Sequence, residues 1–212
     1  MPVILPAPPD SRAGSLPLIG GVLALDFANT ESGRGFPTHR DHLPEARHVA
    51  DWLEHAGALA PEDADRLRAE AAARPEFAAE LLARAKTLRE DVGEIFRAVA
   101  AGAAPPARAT SELTEFHACA LAHSALTPSH DHYAWRWTLS ASPLEAALGP
   151  IALSAVALLT QADLTRIKQC GGVACGWLFY DETKNKRRRW CEMEVCGNRA
   201  KQRRHAARGR PA

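Results

Sequence analysis

The sequence lacks the motifs by which many enzymes are recognised. It contains neither G-x-G-x-x-G nor a P-loop, which would indicate dinucleotide or nucleotide binding, and neither G-x-S-x-G nor H-E-x-x-H, which would indicate a serine hydrolase or a zinc protease. Carboxylates are plentiful, but no spacing singles out an acid–base pair. We therefore expect a protein that is not an enzyme, and we identify no small-molecule substrate for it.

An uninterrupted apolar run long enough to cross a bilayer is also missing. The longest candidate, Ala146–Leu159, is shorter than the roughly 20 residues required and is interrupted by Gly149-Pro150. Residues 1–14 contain several prolines and no cationic start before an apolar stretch, so they do not resemble a signal peptide. We expect a flexible arm at 1–14, no membrane contact and a cytoplasmic location.

Cysteine is scarce, and its few copies are clustered. Four of the five lie in the last fifth of the chain as two C-x₄-C pairs, Cys170 with Cys175 and Cys191 with Cys196. Two such pairs can surround a tetrahedral ion, and Zn²⁺ is the usual occupant of a four-thiolate site. We predict one structural zinc ion, with no open position for catalysis. The alternatives are an iron–sulfur cluster, which usually needs closer spacing, and two disulfides, which need an oxidising compartment.

The residues between the two cysteine pairs predict a hairpin. Trp177–Tyr180 is aromatic and apolar, residues 181–185 are turn-like, and residues 187–190 return. Gly197-Asn198 then opens a polar run, up to Arg208, that is compatible with a helix. This order of elements is that of a treble-clef finger, which consists of a knuckle, a hairpin, a second cysteine pair and a helix.

The charge of the chain is balanced overall but not along its length. The formal net charge is +1, yet thirteen Lys and Arg stand against four acids from Arg166 onward, which gives about +9 there and about −8 over residues 1–165. A helix over the polar run after Gly197 would place several of these cations in two stripes. Because this helix would have no bulky apolar face, we expect solvent or a polyanion beside it. Beside a finger, such cations favour nucleic acid. The candidate contacts are Arg187, Arg188, Arg189, Arg199, Lys201, Arg203 and Arg204.

Arg199 differs from the other candidates in its expected role. The others would neutralise phosphates, whereas Arg199 is the candidate for a bidentate contact with a base. Alternatively, it caps the helix or braces the hairpin. Charge alone does not separate duplex DNA from RNA.

The cysteine-rich segment resembles a known family. The CGNR zinc finger, named for the signature present here as Cys196-Gly-Asn-Arg199, is similar to the whole segment from Cys170 to Lys201. Proteins of that family begin with a motif that resembles Leu25-Asp26-Phe27-Ala28-Asn29-Thr30, in a region called the ABATE domain. The resemblance covers nearly the full chain. It implies a zinc-containing, DNA-binding regulator of transcription that acts in the stress response.

Residues 15–165 predict a mainly helical domain. Apolar residues recur at three- and four-residue steps near 49–56, from Pro61, from Pro75 to Gly102 and from about Thr110. The predicted fold class is therefore mainly α, with a minor α+β component.

Two further segments complete this domain. The helix around 144–160 has almost no polar face, so we expect it at the centre of the core, bent or restarted at Gly149-Pro150. Large apolar residues alternate with smaller or polar ones over Tyr133–Leu139, which predicts a short strand with one aromatic face. We expect this face to pack on helices; the alternative is that it stacks a planar ligand. Cys119, in a helical segment, is expected in the core. The treble-clef-like finger follows at 166–212.

Asp26 and Asn29 are a possible ligand site. Their short polar groups cluster with Thr30 at the end of the apolar stretch 16–27, which is either a strand or a buried helix. Alternatively, these residues end the element by bonding to backbone, as Asn and Thr commonly do.

Together these features predict a cytoplasmic DNA-binding transcriptional regulator. Its helical domain would sense a signal or form a homodimer, and a dimer would enlarge the small surface that one finger buries on DNA. One alternative is a zinc-stabilised protein-interaction module that docks on an acidic partner, including its own N-terminal domain. The other is a thiol redox switch that loses zinc on oxidation.

Overall fold

The chain forms helices over most of its described length, as predicted. A computed structural model describes residues 11–137, 139 and 143–208. In these ranges the helices are α1 (Leu23–Ala28), α2 (Ala46–His55), α3 (Pro61–Ala73), α4 (Pro75–Ala100), α5 (Ala107–Ala122), α6 (Pro143–Gln161) and α7 (Asn198–Arg208). The strands pair antiparallel as β1 (Glu31–Ser32) with β2 (Arg40–Asp41), β3 (Ser124–Ser129) with β4 (His132–Trp137), and β5 (Ile167–Gln169) with β6 (Leu178–Tyr180).

The helix starts follow the proline signals in the sequence. α3 and α4 begin at Pro61 and Pro75, as predicted, because proline at the first helical position loses no hydrogen bond. α5 begins at Ala107, about three residues earlier than predicted, directly after Pro106. The undecided apolar stretch 16–27 contains α1, so its end is helical.

α6 lies at the centre of the core, as predicted. It packs against α1, α4 and α5. The expected restart is absent, since the helix continues through Pro150 with Gly149 and Ile151 fully buried beside it. By length and mean hydropathy α6 could also cross a membrane, although half of its most apolar 18-residue window is buried inside the fold.

The β3–β4 hairpin packs on the helices at one end only. Trp137 lies against Gly149 of α6, whereas Tyr133 and Trp135 are 68% and 40% exposed. Leu126, opposite Trp135, is also exposed. The prediction that the whole aromatic face packs on helices is therefore wrong, because the hairpin extends beyond the helices that would cover it.

Two other predictions about packing also need correction. Within the predicted arm, residues 1–10 lie outside the described ones, but Ala13 is buried against α2 and the Ser11 hydroxyl donates to the His42 carbonyl at 2.5 Å. The chain is therefore packed, not flexible, at 11–14. Cys119 is exposed, not in the core, because α5 turns Leu113 and Ala120 inward instead.

The finger packs directly on the helical domain. The Asn29 side chain donates to the Leu178 carbonyl and accepts from the Leu178 N–H, both at 2.8 Å and both buried. The Tyr180 N–H donates to the Gly20 carbonyl at 2.8 Å, and the Gly33 N–H donates to the Cys175 carbonyl at 3.1 Å. These bonds fix β6, and with it the finger, against α1.

Candidate metal centre and basic surfaces

The four clustered cysteines converge on one point. The Sγ atoms of Cys170, Cys175, Cys191 and Cys196 all lie within 4.8 Å of one another, and Cys191 is 3.6 Å from both Cys175 and Cys196. Four sulfurs bonded to one tetrahedral zinc ion at ~2.3 Å are about 3.8 Å apart, whereas a disulfide is ~2.05 Å long. The spacing fits one zinc ion and excludes the predicted alternative of two disulfides.

The first cysteine pair is shaped by a tight knuckle between β5 and β6. The Cys170 N–H donates to the Trp177 carbonyl at 2.8 Å, and the turn passes through Ala174 with a positive φ of 61°. Gly172 allows the two pairs to approach closely, because a Cβ atom there would lie 3.1 Å from the Cys196 Sγ atom. The knuckle therefore presents both sulfurs toward the second pair.

Backbone groups support the sulfur of Cys170. It accepts from the Gly172 N–H at 3.4 Å and from the Cys191 N–H at 3.3 Å. Hydrogen bonds of this kind orient metal ligands and stabilise the thiolate form.

The sulfurs need a cation to ionise together. Hydrogen bonding to Cys170 raises the pKa of Cys175, and hydrogen bonding to Cys170 and Cys175 raises the pKa of Cys191. Four thiolates in one small volume repel one another, and a divalent ion removes this repulsion. The donor set thus fits zinc, which would be structural because protein thiolates occupy all four positions.

The predicted hairpin has a different partner strand. Leu178–Tyr180 is a strand, but it pairs with β5, and residues 187–190 return without strand pairing. Asp181 closes this return loop, since its buried carboxylate accepts from the Thr183 N–H at 3.0 Å and from the Arg188 N–H at 2.9 Å. Burial would raise the pKa of Asp181, but the hydrogen bonds from Thr183 and Arg188 lower it.

Arg188 braces the finger from within. Its guanidinium lies 4.3 Å from the centre of the Phe179 ring and donates to three carbonyl oxygens, those of Trp190, Cys191 and Ile19. These bonds use Nε and Nη2 of a half-buried side chain. Arg188 therefore has a bracing role beside the second cysteine pair, and its contact with nucleic acid stays a prediction.

Four other predicted cations are exposed on the finger. They are Arg187 and Arg189 on the return loop, and Lys201 and Arg204 on α7. Within the described residues none of them forms an ion pair with a carboxylate. Arg189 lies 5.6 Å from the ring centre of Trp190. These four side chains present positive charge to solvent.

The remaining two predicted cations face the helical domain. Arg199 and Arg203 lie on one face of α7 and line a cleft of about 890 Å³, here called the interdomain cleft. Its opposite wall includes Arg12 and Arg40. Arg203 also donates from Nε to the Arg199 carbonyl at 3.4 Å. Arg199 is exposed at this cleft, and its base contact stays a prediction.

Asp26 and Asn29 are engaged with backbone groups. The Asp26 carboxylate accepts from the Gly20 N–H at 2.7 Å, and burial raises the pKa of Asp26 to about 6. Both groups of the Asn29 amide are used by Leu178, and the Thr30 hydroxyl donates to the Phe27 carbonyl at 2.7 Å. These bonds follow the alternative in which Asp26, Asn29 and Thr30 bond to backbone, and a ligand role for Asp26 and Asn29 stays a prediction.

Sequence patterns do not single out Arg12 or Arg40. Arg12 precedes α1 and Arg40 lies in β2, both far from α7 along the chain, and neither belongs to a motif. Their proximity to the finger follows from tertiary packing, so local patterns could not reveal it.

Comparison with known families agrees with this architecture. The family model ABATE, "Putative stress-induced transcription regulator", matches residues 21–162, and the CGNR zinc finger model matches residues 166–209. Neither is an enzyme family. A search of curated proteins found no match. The chain therefore belongs to the ABATE family, and it ends in a CGNR zinc finger in which Cys170, Cys175, Cys191 and Cys196 bind one zinc ion.

Proposed function

We propose that this protein is a cytoplasmic transcription regulator that binds duplex DNA through its finger and senses a stress signal through its helical domain. The observation that carries the proposal is the set of four exposed cations without carboxylate partners in the described chain. They are Arg187, Arg189, Lys201 and Arg204. The zinc site holds their segments in place, and phosphates would neutralise them.

The salt dependence of binding follows from this set. Each neutralised phosphate releases counterions and contributes about −0.9 to the slope of log affinity against log salt on B-DNA. Four contacts give a slope of about −3.6. The full set of predicted cations would give a steeper slope. We leave Arg188, Arg199 and Arg203 out of this count, because Arg188 donates to carbonyls of the finger and Arg199 and Arg203 line the interdomain cleft. A homodimer would double the number of contacts and the slope.

The structure offers less support for the two alternative functions. Charge-based docking of the finger on its own N-terminal domain is limited to the Lys186–Asp163 pair at 2.6 Å, since Arg199 and Arg203 of α7 line a cleft together with Arg12 and Arg40. A redox switch needs accessible thiols, whereas Cys170, Cys191 and Cys196 are buried and Cys175 is only partly exposed.

Fluorescence anisotropy over a range of salt concentrations tests the proposal. The zinc-loaded chain would be titrated onto a mixed-sequence duplex and onto a structured RNA. The variants are Lys201→Gln/Arg204→Gln and Arg187→Gln/Arg189→Gln, and the matched control is Arg66→Gln/Arg136→Gln, which alters two exposed cations of the helical domain. We expect each finger pair to make the slope shallower by about 1.8, and the control to leave it unchanged.

Two outcomes would contradict the proposal. If the folded, zinc-loaded chain does not bind duplex DNA at low salt, the finger belongs to the protein-interaction class. If the control pair changes the slope as much as the finger pairs do, binding is a general effect of surface charge.

A further inference from the structure

The interdomain cleft has the size and position of a small-molecule site. Its volume of about 890 Å³ lies within the roughly 300–1,000 Å³ typical of ligand pockets. It separates the helical domain from the finger, and pockets occur preferentially between domains. The knuckle residues Gly172–Cys175 and the exposed face of α7 form one wall.

Arginines from both domains line the cleft. Arg12 and Arg40 belong to the helical domain, and Arg199 and Arg203 belong to α7. In the described part of the chain none of the four forms an ion pair with a carboxylate, and Glu192 is the acidic residue on the cleft wall. A zinc ion with four thiolates adds about −2, so a formal charge of about +1 still remains in the cleft.

The backbone that carries the two domain arginines is held in place. Arg40 lies in β2, where its neighbour Asp41 accepts from buried Arg89 at 2.6 Å. Arg12 follows Ser11, whose hydroxyl donates to the His42 carbonyl. Burial and then the charge of Arg12 lower the pKa of His42. The fold therefore fixes the backbone from which the two exposed arginine side chains extend.

The remaining surface of the cleft is largely apolar. Pro17 and Ile19 contribute from the helical domain, and Val173, Trp177 and Val195 contribute from the finger. Val173 and Val195 are 64% and 38% exposed, which is high for valine. Apolar walls with a few convergent polar groups are characteristic of sites for organic ligands.

We propose that the interdomain cleft binds a small organic anion, with an aromatic or aliphatic body on the apolar wall and a carboxylate, sulfonate or phosphate among the arginines. Guanidinium groups bind such anions with paired hydrogen bonds. This site goes beyond the proposed DNA contact, because it uses a different face of α7 and two residues outside the finger.

The test uses anilinonaphthalene sulfonate, a fluorescent anion with an aromatic body. Zinc-loaded full-length protein would be titrated with this probe as wild type, as Arg12→Gln/Arg40→Gln and as the control Arg66→Gln/Arg136→Gln. We expect the first pair to weaken binding at least tenfold and the control to leave it unchanged. Arg199→Gln, on the opposite wall, should weaken binding in the same direction.

The exposed hairpin aromatics offer the probe a competing surface. Leu126→Ser/Tyr133→Ser/Trp135→Ser removes that surface, and the proposal requires high-affinity binding to survive this change. The proposal is overturned if binding disappears with the hairpin variant, or if Arg12→Gln/Arg40→Gln binds the probe as tightly as wild type.

Duplex binding by the same variants separates this proposal from the previous one. We expect Arg12→Gln/Arg40→Gln to keep wild-type affinity for duplex DNA. Loss of duplex affinity without loss of probe binding would assign these arginines to a nucleic-acid interface and overturn the small-anion site. A chain that binds the probe in the cleft but no DNA would leave this inference standing and contradict only the proposed function.

Discussion

At the scale of single residues, the cysteines fall into two chemical classes. Cys119 is exposed on α5, whereas the other four converge on the zinc site. We expect Ellman's reagent to detect one thiol in the native zinc-loaded protein and all five in denaturant with a chelator, because buried, metal-bound sulfur is protected. In Cys119→Ser the native signal should vanish. More than one native thiol without zinc release would contradict this assignment.

The sequence predicted some single residues much better than others. The four zinc ligands are identified by local spacing. This spacing survives into the structure because the first pair flanks a tight knuckle and the second spans the short helical segment Met193–Gly197. The side of α5 on which Cys119 lies depends on the neighbouring helices, and the sequence alone does not show it. Arg188 looked like its neighbours Arg187 and Arg189, and only the position of Phe179 reveals its bracing role.

At the scale of elements, close packing of the β3–β4 hairpin on α6 depends on one glycine. A Cβ atom at Gly149 would lie 2.4 Å from the Cζ3 atom of Trp137. We expect Gly149→Ala to lower the free energy of unfolding by about 1–3 kcal/mol through overpacking, despite the ~1 kcal/mol that alanine gains in a helix. Urea unfolding of the zinc-loaded protein measures this change.

A second helical glycine provides the matched control. At Gly93 in α4 the added Cβ atom would meet the Arg97 guanidinium at 2.8 Å, which is the end of a flexible side chain that can move aside. We expect Gly93→Ala to be neutral or slightly stabilising. If both variants lose the same stability, the contact with Trp137 is not the cause.

Local patterns predicted the elements better than their partners. Helical periodicity and proline placement located α3 and α4 because these signals act within one helix. The strand at Leu178–Tyr180 was also visible, but its pairing with β5 was not, since the pairing depends on the knuckle between them. The exposed part of the β3–β4 hairpin was predicted as packed, because the alternation of residues in a strand does not show which helices lie beside it.

At the scale of the whole molecule, Asn29 joins the helical domain to the finger. Asn29→Ala would leave the buried Leu178 N–H and carbonyl without these two partners. We expect the free energy of unfolding to fall by about 2–4 kcal/mol and zinc transfer to a chromogenic chelator to accelerate. Thermal melts and the transfer rate measure the two effects.

Asn185→Ala serves as the control for this change. Asn185 is exposed and accepts from the Thr183 hydroxyl at 3.2 Å within its own loop. We expect wild-type melting and wild-type zinc transfer from this variant. An Asn29→Ala protein that behaves like the control would show that the two domains are joined by other contacts.

The shared core limits how this protein can be divided. Ile167 and Leu178 lie on the finger strands, yet both are buried in the same hydrophobic cluster as Phe27 and Ile151 of the helical domain. A finger grafted onto another protein would therefore expose an apolar surface. A chain cut near residue 165 would expose to solvent the core residues of the helical domain that the finger strands cover. Chimeras of this protein should exchange α1 together with the finger.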